Sequence, residues 1–141
     1  MAENEKKVDM NKVEEELRTL FGQQESLRQQ ISVIDNTILD LSSVLETLDF
    51  IKSEGKDKVV LVPIGAGNFI RAKVVDTERV IMGVGGRLSV EASIDEARKL
   101  ISDRISALEK LRLDLRRKLE EINAKISELI EQVREAGEEG G

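Results

Sequence analysis

The sequence predicts an α+β chain: a long antiparallel coiled-coil helical hairpin with two β-hairpins inserted between its helices. Three observations support this prediction. Apolar residues recur every seventh position in both outer thirds of the chain, which is typical of a coiled-coil seam. The middle third has short β-branched runs separated by Gly-rich turns. Aromatic residues form only 2% of the 141 residues and charged residues 35%, which favours long helices over a compact globule.

The first helix is expected over residues 8–53 of a single domain that spans residues 1–141. Its two seam series alternate in steps of three and four residues without a slip. They are Met10, Leu17, Gln24, Ile31, Ile38 and Leu45, and Val13, Leu20, Leu27, Ile34, Leu41 and Leu48. Asp9 or Asn11 is expected to cap the start of this helix, and Gly55 to end it in a left-handed conformation.

The second helix is expected over residues 93–135. Its seam series are Ile94, Ile101, Leu108, Leu115, Ile122 and Leu129, and Ile105, Leu119, Ile126 and Val133. Ser93 and Glu96 have the spacing of a capping box, and Gly137 is expected to end the helix. Two helices of equal length, roughly 65 Å at 1.5 Å per residue, favour an antiparallel pair in which each covers the seam of the other.

Three polar side chains interrupt the apolar seam: Gln24, Arg98 and Arg112. We interpret them as residues that set the register of the two helices, because single polar seam positions commonly have that role. The alternative is that they contact a bound protein or a partner subunit.

The middle of the chain, residues 58–91, is expected to form four short strands paired as two β-hairpins. The strands are expected at residues 59–62, 69–75, 80–82 and 88–91. Alternation places Ile70, Ala72 and Val74 on one face. The turn glycines are Gly65, Gly67, Gly83 and Gly85. At least one glycine of each turn is expected to need a positive φ angle.

Composition excludes most enzymatic chemistry. Cys and His are absent from the sequence, so zinc sites, haem, iron–sulfur clusters, disulfides and thiol or imidazole catalysis lack their ligands or nucleophiles. Neither Gly-rich turn is followed by a helix, so neither fits a nucleotide-binding loop. The many carboxylates lie on extended helices without a cleft. We therefore predict no catalytic residues, no cofactor and no metal site.

The sequence also argues against membranes and nucleic acids as partners. No run reaches the roughly 18 to 20 apolar residues of a membrane span, and the opening residues 1–13 lack the apolar core of a secretory signal. The net charge of −6 repels phosphate backbones. A weaker alternative, a coiled-coil arm that grips nucleic acid, would use Arg112, Arg116, Arg117 and Lys118, which alternate with acidic residues. We expect a cytoplasmic protein.

The strands are expected to serve assembly, because four short strands with open edges are not stable alone. The residues assigned to this surface are Val60, Val62, Phe69, Ile70, Ala72, Val74, Val80, Met82 and Leu88.

The opposite ends of the helices, where the two chain termini meet, are expected to expose apolar surface and to bind a partner. Phe21 and Ile130 are apolar but lie outside the seam series. If Leu48 neighbours Ile94, then Val13 falls near Leu129. The predicted tip residues are Met10, Val13, Leu17, Leu20, Phe21, Ile126, Leu129, Ile130 and Val133.

Two turn sequences carry a family resemblance over nearly the whole chain. Val-Pro-Ile-Gly-Ala-Gly-Asn at 62–68 and Gly-Val-Gly-Gly at 83–86, set between matching helices, resemble the alpha-type subunits of archaeal prefoldin. Arg87 departs from the small or aromatic residue that often follows those glycines. Two hairpins rather than one also fit the alpha class, since beta-type subunits carry a single hairpin.

The resemblance implies an ATP-independent holdase. In that family two alpha and four beta subunits join through their hairpins into a double β-barrel, and coiled-coil tips hold unfolded proteins for transfer to a group II chaperonin. The implied partners are beta-type subunits, a second alpha copy, unfolded client proteins and the chaperonin. The alternative is a structural homo-oligomeric spacer or filament subunit that uses the same strand edges but has no holdase activity.

Overall fold

The computed structural model describes residues 9–140, with side chains up to Gly137, so Val8 lies outside the described residues. Helix α1 spans Met10–Glu54 and helix α2 spans Ile94–Gly140. Between them lie strands β1 (Val59–Gly65), β2 (Asn68–Lys73), β3 (Arg79–Gly85) and β4 (Leu88–Ser93). The predicted fold class is confirmed: two long helices with two antiparallel β-hairpins between them.

Side chains cap both helices at their starts. Asp9 is the residue that caps α1, because its Oδ1 accepts hydrogen bonds from the N–H groups of Asn11 at 3.1 Å and Lys12 at 3.3 Å. At α2 the capping box is present in both directions. Ser93 Oγ accepts from the Glu96 N–H at 3.1 Å, and Glu96 Oε2 accepts from the Ser93 N–H at 3.4 Å.

The helix ends differ from the expectation at both glycines. Gly55 does not take a left-handed conformation, and the left-handed residue is Asp57, with a φ of 60°. Glycine is needed at position 55 because the backbone of Ile51 lies too near for a side chain. A Cβ at position 55 would lie 2.6 Å from the Ile51 carbonyl oxygen. Gly137 does not end α2, which continues to Gly140. Without a positive φ at Gly137, nothing turns the backbone out of the helix.

Each hairpin forms its own two-stranded sheet in the part of the chain that the structure describes. In the first, Val60 pairs with Ala72 and Val62 with Ile70. A register shift after Pro63 precedes a two-residue loop whose central residues have positive φ, as in a type I′ turn. The glycines at 65, 67 and 85 also have positive φ, whereas Gly83 does not, so each turn contains at least one such glycine, as predicted.

The second hairpin has the same pairing pattern as the first hairpin, shifted by twenty residues along the chain. Val80 pairs with Ala92 and Met82 with Val90, the same positions as in the first hairpin. Its loop also places two residues at positive φ, Gly86 at 59° and Arg87 at 61°. The departure at Arg87 is therefore accommodated in a left-handed conformation, which is uncommon for a side chain with a Cβ. The two hairpins share one backbone design.

The linker between the hairpins is closed by an Asx turn. Asp76 Oδ1 accepts hydrogen bonds from the N–H groups of Glu78 at 2.8 Å and Arg79 at 3.1 Å. These bonds stabilise the charged carboxylate and lower the pKa of Asp76 below its ordinary value. The turn leads directly into β3.

The described residues divide into two compact units. The strand unit, Thr37–Leu108, holds both hairpins and a core cluster of Leu48, Ile94, Ala97 and Ile101. Val80 and Met82 of β3 pack against that cluster. The terminal unit comprises the described residues up to Asn36 and from Glu109 onward. Its buried apolar side chains all belong to the predicted seam: Val13, Leu27, Ile34, Leu115 and Ile126.

Neither helix contains, among the described residues, a stretch long and apolar enough to cross a membrane.

We predict opposite effects of alanine at two glycines of the second hairpin. Gly85→Ala places a Cβ at a φ of 99° and should lower stability by roughly 1 to 3 kcal/mol. Gly83→Ala is the matched control, because its φ is not positive and its Cβ would enter open space. It should be neutral or slightly stabilising. Thermal unfolding followed by circular dichroism reports both, since β3 packs on the helical core. Equal midpoints for the two variants would contradict this assignment.

Candidate binding surfaces

Every polar residue of the seam has a polar partner on the opposite helix. Gln24 Nε2 donates to Asn123 Oδ1 at 2.7 Å, in a half-buried position. Arg112 Nη1 donates to Asp35 Oδ1 at 2.9 Å. Arg98 Nε lies 2.8 Å from Asp49 Oδ1. These contacts support the interpretation of the three residues as register-setting groups rather than as contacts for a bound protein.

The polar pairs define the antiparallel register within each unit. In the terminal unit, Gln24–Asn123 and Asp35–Arg112 are eleven residues apart on both helices, in opposite directions. Extending the register by another eleven residues places Val13 opposite Arg134. Val133 rather than Leu129 is therefore the seam residue at the level of Val13, one turn away from the expected neighbour. Leu48 and Ile94 belong to one buried cluster, although the Asp49–Arg98 pair places Leu48 level with Lys99.

The predicted tip residues fall into three groups by exposure. Val13 and Ile126 are buried in the seam. Four are half-buried: Leu17, Leu20, Leu129 and Val133. Three are exposed: Met10, Phe21 and Ile130. Phe21 is 46% and Ile130 49% exposed, which agrees with their position outside the seam. Only the half-buried and exposed groups offer apolar surface for binding.

The terminal unit presents open concavities lined by both apolar and charged side chains. One, about 650 Å³, is lined by Leu20 and Leu129 together with acidic and basic side chains, Lys12, Glu15, Glu16, Lys125 and Glu128. A second, about 330 Å³, is formed by Leu17 and Phe21 between Glu14 and Arg18. Such open surfaces suit flexible segments with apolar side chains better than a small molecule of fixed shape, because small-molecule sites are concave and enclose most of the ligand.

The predicted assembly residues do not share one environment. Val80 and Met82 pack against the helical cluster of their own chain and are half-buried there. In the first hairpin, Val60, Ala72 and Val74 are half-buried, while Val62 and Ile70 are exposed. Phe69 lies on the opposite face, paired with Pro63. Leu88 is exposed beside the second loop.

Further exposed apolar residues of the hairpins were not among those predicted. They are Val59, Leu61, Ile64, Ile81, Val84 and Val90. A signal for the first three was present, because β1 is apolar at almost every position rather than at alternate ones. A continuous apolar run is typical of a strand that is covered on both faces.

One further ion pair joins the ends of the helices beside the strands. Lys52 Nζ donates to Asp95 Oδ1. This hydrogen bond and the nearby positive charge lower the pKa of Asp95 below its ordinary value. The pair is exposed, so it contributes little to stability. Among residues 9–140, no three acidic side chains come together in a way that would hold a metal ion.

Comparison with known proteins gives consistent matches. The family profile described as prefoldin subunit matches residues 20–139. Prefoldin subunit alpha 2 of Thermococcus kodakarensis is 43% identical over 96% of this chain and 95% of that protein. A putative prefoldin subunit alpha of Aquifex aeolicus is 40% identical over 99% and 97%. A solved chain of filamentous PFD from Methanocaldococcus jannaschii is 39% identical, with a TM-score of 0.72, over 82% of this chain and 96% of that chain.

We predict strong coupling between the two amides in the seam. Gln24→Leu or Asn123→Leu alone leaves a half-buried amide without its partner and should destabilise the chain by roughly 1 to 3 kcal/mol. The double variant removes both amides and should be at least as stable as the original chain. Urea unfolding measures all three, with exposed Gln29→Leu as the control. A double variant less stable than either single variant would show that the pair does not act as a unit.

Proposed function

The chain belongs to the prefoldin family of chaperone subunits, and on that premise we propose that it is a subunit of an ATP-independent holdase. In this proposal it binds unfolded proteins through the apolar side chains near its two chain ends, assembles through its β-hairpins, and passes its clients to a group II chaperonin. It works in the cytoplasm and has no catalytic step.

The observation that carries this proposal is the exposure of large apolar side chains toward both chain ends. Met10, Phe21 and Ile130 are exposed, and Leu17 and Leu20, near Phe21 in sequence, are half-buried. Each side chain contributes roughly 1.5 to 3 kcal/mol when fully buried, and less in a loose contact. One subunit therefore holds a client weakly. Several subunits on one assembly bind the same chain tightly, because the second contact is intramolecular.

The hairpins supply the proposed assembly surface. Two isolated two-stranded sheets are marginally stable in water, and their edges have unpaired N–H and C=O groups. Pairing with other subunits satisfies these groups and covers the apolar faces. We propose beta-type subunits as partners, with two alpha and four beta chains in one complex and the two alpha copies in contact. The family resemblance supports this composition.

A second candidate function is a structural one: a homo-oligomeric spacer or filament subunit. The similarity to a chain of filamentous PFD from Methanocaldococcus jannaschii favours it, because that relative forms a filament and shares the fold at a TM-score of 0.72. The two candidates differ in a measurable way. A holdase suppresses aggregation of a diluted, denatured client, whereas a pure spacer does not. Electron microscopy of the purified chain shows whether filaments form without a beta-type partner.

We predict that Phe21→Ser with Ile130→Ser greatly reduces holdase activity without loss of assembly. Both side chains are about half exposed, so their removal leaves the seam intact. The matched control is Leu39→Ser with Leu100→Ser, two exposed apolar residues of the strand unit. Light scattering of a diluted client measures activity, and sedimentation of the same sample measures assembly. An assembled Phe21/Ile130 variant that suppresses aggregation as well as the original would exclude these residues as the client site.

We predict that Val74→Asp breaks the assembly while the helices stay folded. Val74 is half-buried and extends the face of Ile70 and Ala72, so a partner that covers this face would bury an unpaired carboxylate. Val75→Asp is the matched control, since Val75 is 95% exposed and alternates to the other face. Sedimentation gives the mass and circular dichroism the helix content. If the Val74 variant keeps its full mass, this face does not lie in an interface.

A further inference from the structure

The second hairpin has a polar face on the side opposite Val80 and Ala92. The six residues of this face are Arg79, Ile81, Gly83, Ser89, Glu91 and Ser93. Ile81 is its one large apolar side chain, and Arg79 and Glu91 form an ion pair across it at 3.6 Å. A polar face opposite an apolar one is typical of a two-stranded antiparallel sheet whose outer side is covered by water.

The corresponding face of the first hairpin is apolar and cationic instead. Its cross-strand pairs are Val59 with Lys73, Leu61 with Arg71, and Pro63 with Phe69. We call these six residues the basic face. All six are exposed, with Leu61 at 64% and Phe69 at 55%. Because the two hairpins share one backbone geometry, the difference lies in the side chains alone, and grouped exposed apolar side chains commonly mark a binding site.

The charge of the basic face is not neutralised within the chain. Residues 58–75 contain three basic residues and no acidic one, in a chain whose net charge is −6. Among the residues that the structure describes, neither Arg71 nor Lys73 forms an ion pair, whereas Arg79 on the second hairpin does. Both cations therefore keep their N–H donors available, and the guanidinium of Arg71 has the forked geometry that matches a carboxylate.

These features define the chemistry of a partner. Arg71 and Lys73 are two positions apart on one strand, which separates them by about 7 Å along it. Leu61 and Val59 lie directly opposite them on β1. A complementary ligand has carboxylates at a similar spacing, next to apolar side chains that cover Leu61 and Phe69. Acidic peptide segments with interspersed apolar residues have this composition.

An anionic membrane has the same sign of charge but fits the basic face less well. A membrane extends past the hairpin, so it also meets the carboxylates that give the whole chain its charge of −6. A short peptide segment responds mainly to charges within the Debye length, about 8 to 10 Å at moderate salt. The local positive charge of the basic face therefore attracts a short segment more effectively than an extended surface.

We propose that the basic face binds an acidic peptide segment with apolar side chains from another protein. Arg71 and Lys73 pair with its carboxylates, and Val59, Leu61 and Phe69 cover its apolar side chains. This site is separate from the apolar residues toward the chain ends and from the face of Ile70, Ala72 and Val74 that we assign to assembly. The inference therefore does not depend on the proposed holdase function.

Charge reversal tests the electrostatic part of the proposal. A short fluorescent peptide of glutamate and leucine is titrated with the full chain, and fluorescence anisotropy gives the dissociation constant. Arg71→Glu with Lys73→Glu should weaken binding at least about tenfold, which corresponds to about 1.4 kcal/mol. Lys99→Glu with Arg104→Glu, two exposed side chains on α2, makes the same change in net charge and should bind as the original chain does.

A matched pair of serine variants tests the apolar part. Leu61 and Ile81 occupy the same register position in the two hairpins, and both are exposed. Leu61→Ser should weaken binding of the peptide, whereas Ile81→Ser should not. Replacing glutamate by glutamine, or leucine by serine, in the peptide should also weaken its binding to the original chain.

Three results would overturn the proposal. The first is that the original chain does not bind the glutamate–leucine peptide, or that the charge-reversed variant binds it equally well. The second is binding to vesicles of phosphatidylserine and phosphatidylcholine that charge reversal abolishes while the peptide is not bound, which would identify a membrane as the partner. The third is dissociation of the assembly on charge reversal, measured by sedimentation velocity, which would place the basic face between copies of the chain.

The charge-reversed variant also separates this site from the proposed function. It should still suppress aggregation of a diluted client, because the apolar residues toward the chain ends are unchanged. Loss of that activity in an intact assembly would show that the basic face belongs to the client site, and it would overturn a separate partner site. If the original chain shows no holdase activity but binds the peptide, the proposed function fails and the basic face remains supported.

Discussion

The close contact of α1, β3 and α2 around Ala97 is the constraint on which the strand unit depends. Ala97 is 0% exposed and shares one buried cluster with Leu48 of α1 and with Ile94 and Ile101 of α2, and Val80 and Met82 of β3 pack on that cluster. A larger side chain at 97 would force the elements apart, because cores are packed at nearly crystalline density. The capping box of Ser93 and Glu96 begins α2 directly before this contact. The start of α2 and its packing against α1 are therefore determined by neighbouring residues.

The contact of β3 with the two helices makes the second hairpin different from the first. The two hairpins have the same strand lengths, the same register shift and the same kind of loop, twenty residues apart. The second precedes α2 directly and packs Val80 and Met82 of its inner face against the helical cluster of its own chain. The first lies between α1 and a linker, and Val62 and Ile70 on its inner face are exposed. The same backbone geometry thus occurs in two different environments.

The terminal unit follows a different principle. Its apolar core is a single seam between two helices, so side chains one step outside the seam have no second layer to cover them. The surrounding charges keep these side chains soluble, while the seam is held in register by Gln24–Asn123 and Asp35–Arg112. In the proposed function, such a surface would bind unfolded chains loosely and would gain affinity when several copies act together. The terminal unit and the proposed assembly surface would then serve one function.

Local sequence patterns were enough to predict the helices, the hairpins, the capping box and most seam residues. Apolar residues that recur with a period of 3.5 or 2 indicate a helix or a strand without any information on distant residues. Buried Leu27, Leu48 and Leu115 all belong to the predicted series. Tertiary structure decided the rest. Asn123 as the partner of Gln24, and the position of Val13 one turn from the expected one, depend on the register between helices, which no single helix encodes. The covered face of the second hairpin likewise depends on which atoms other segments bring near.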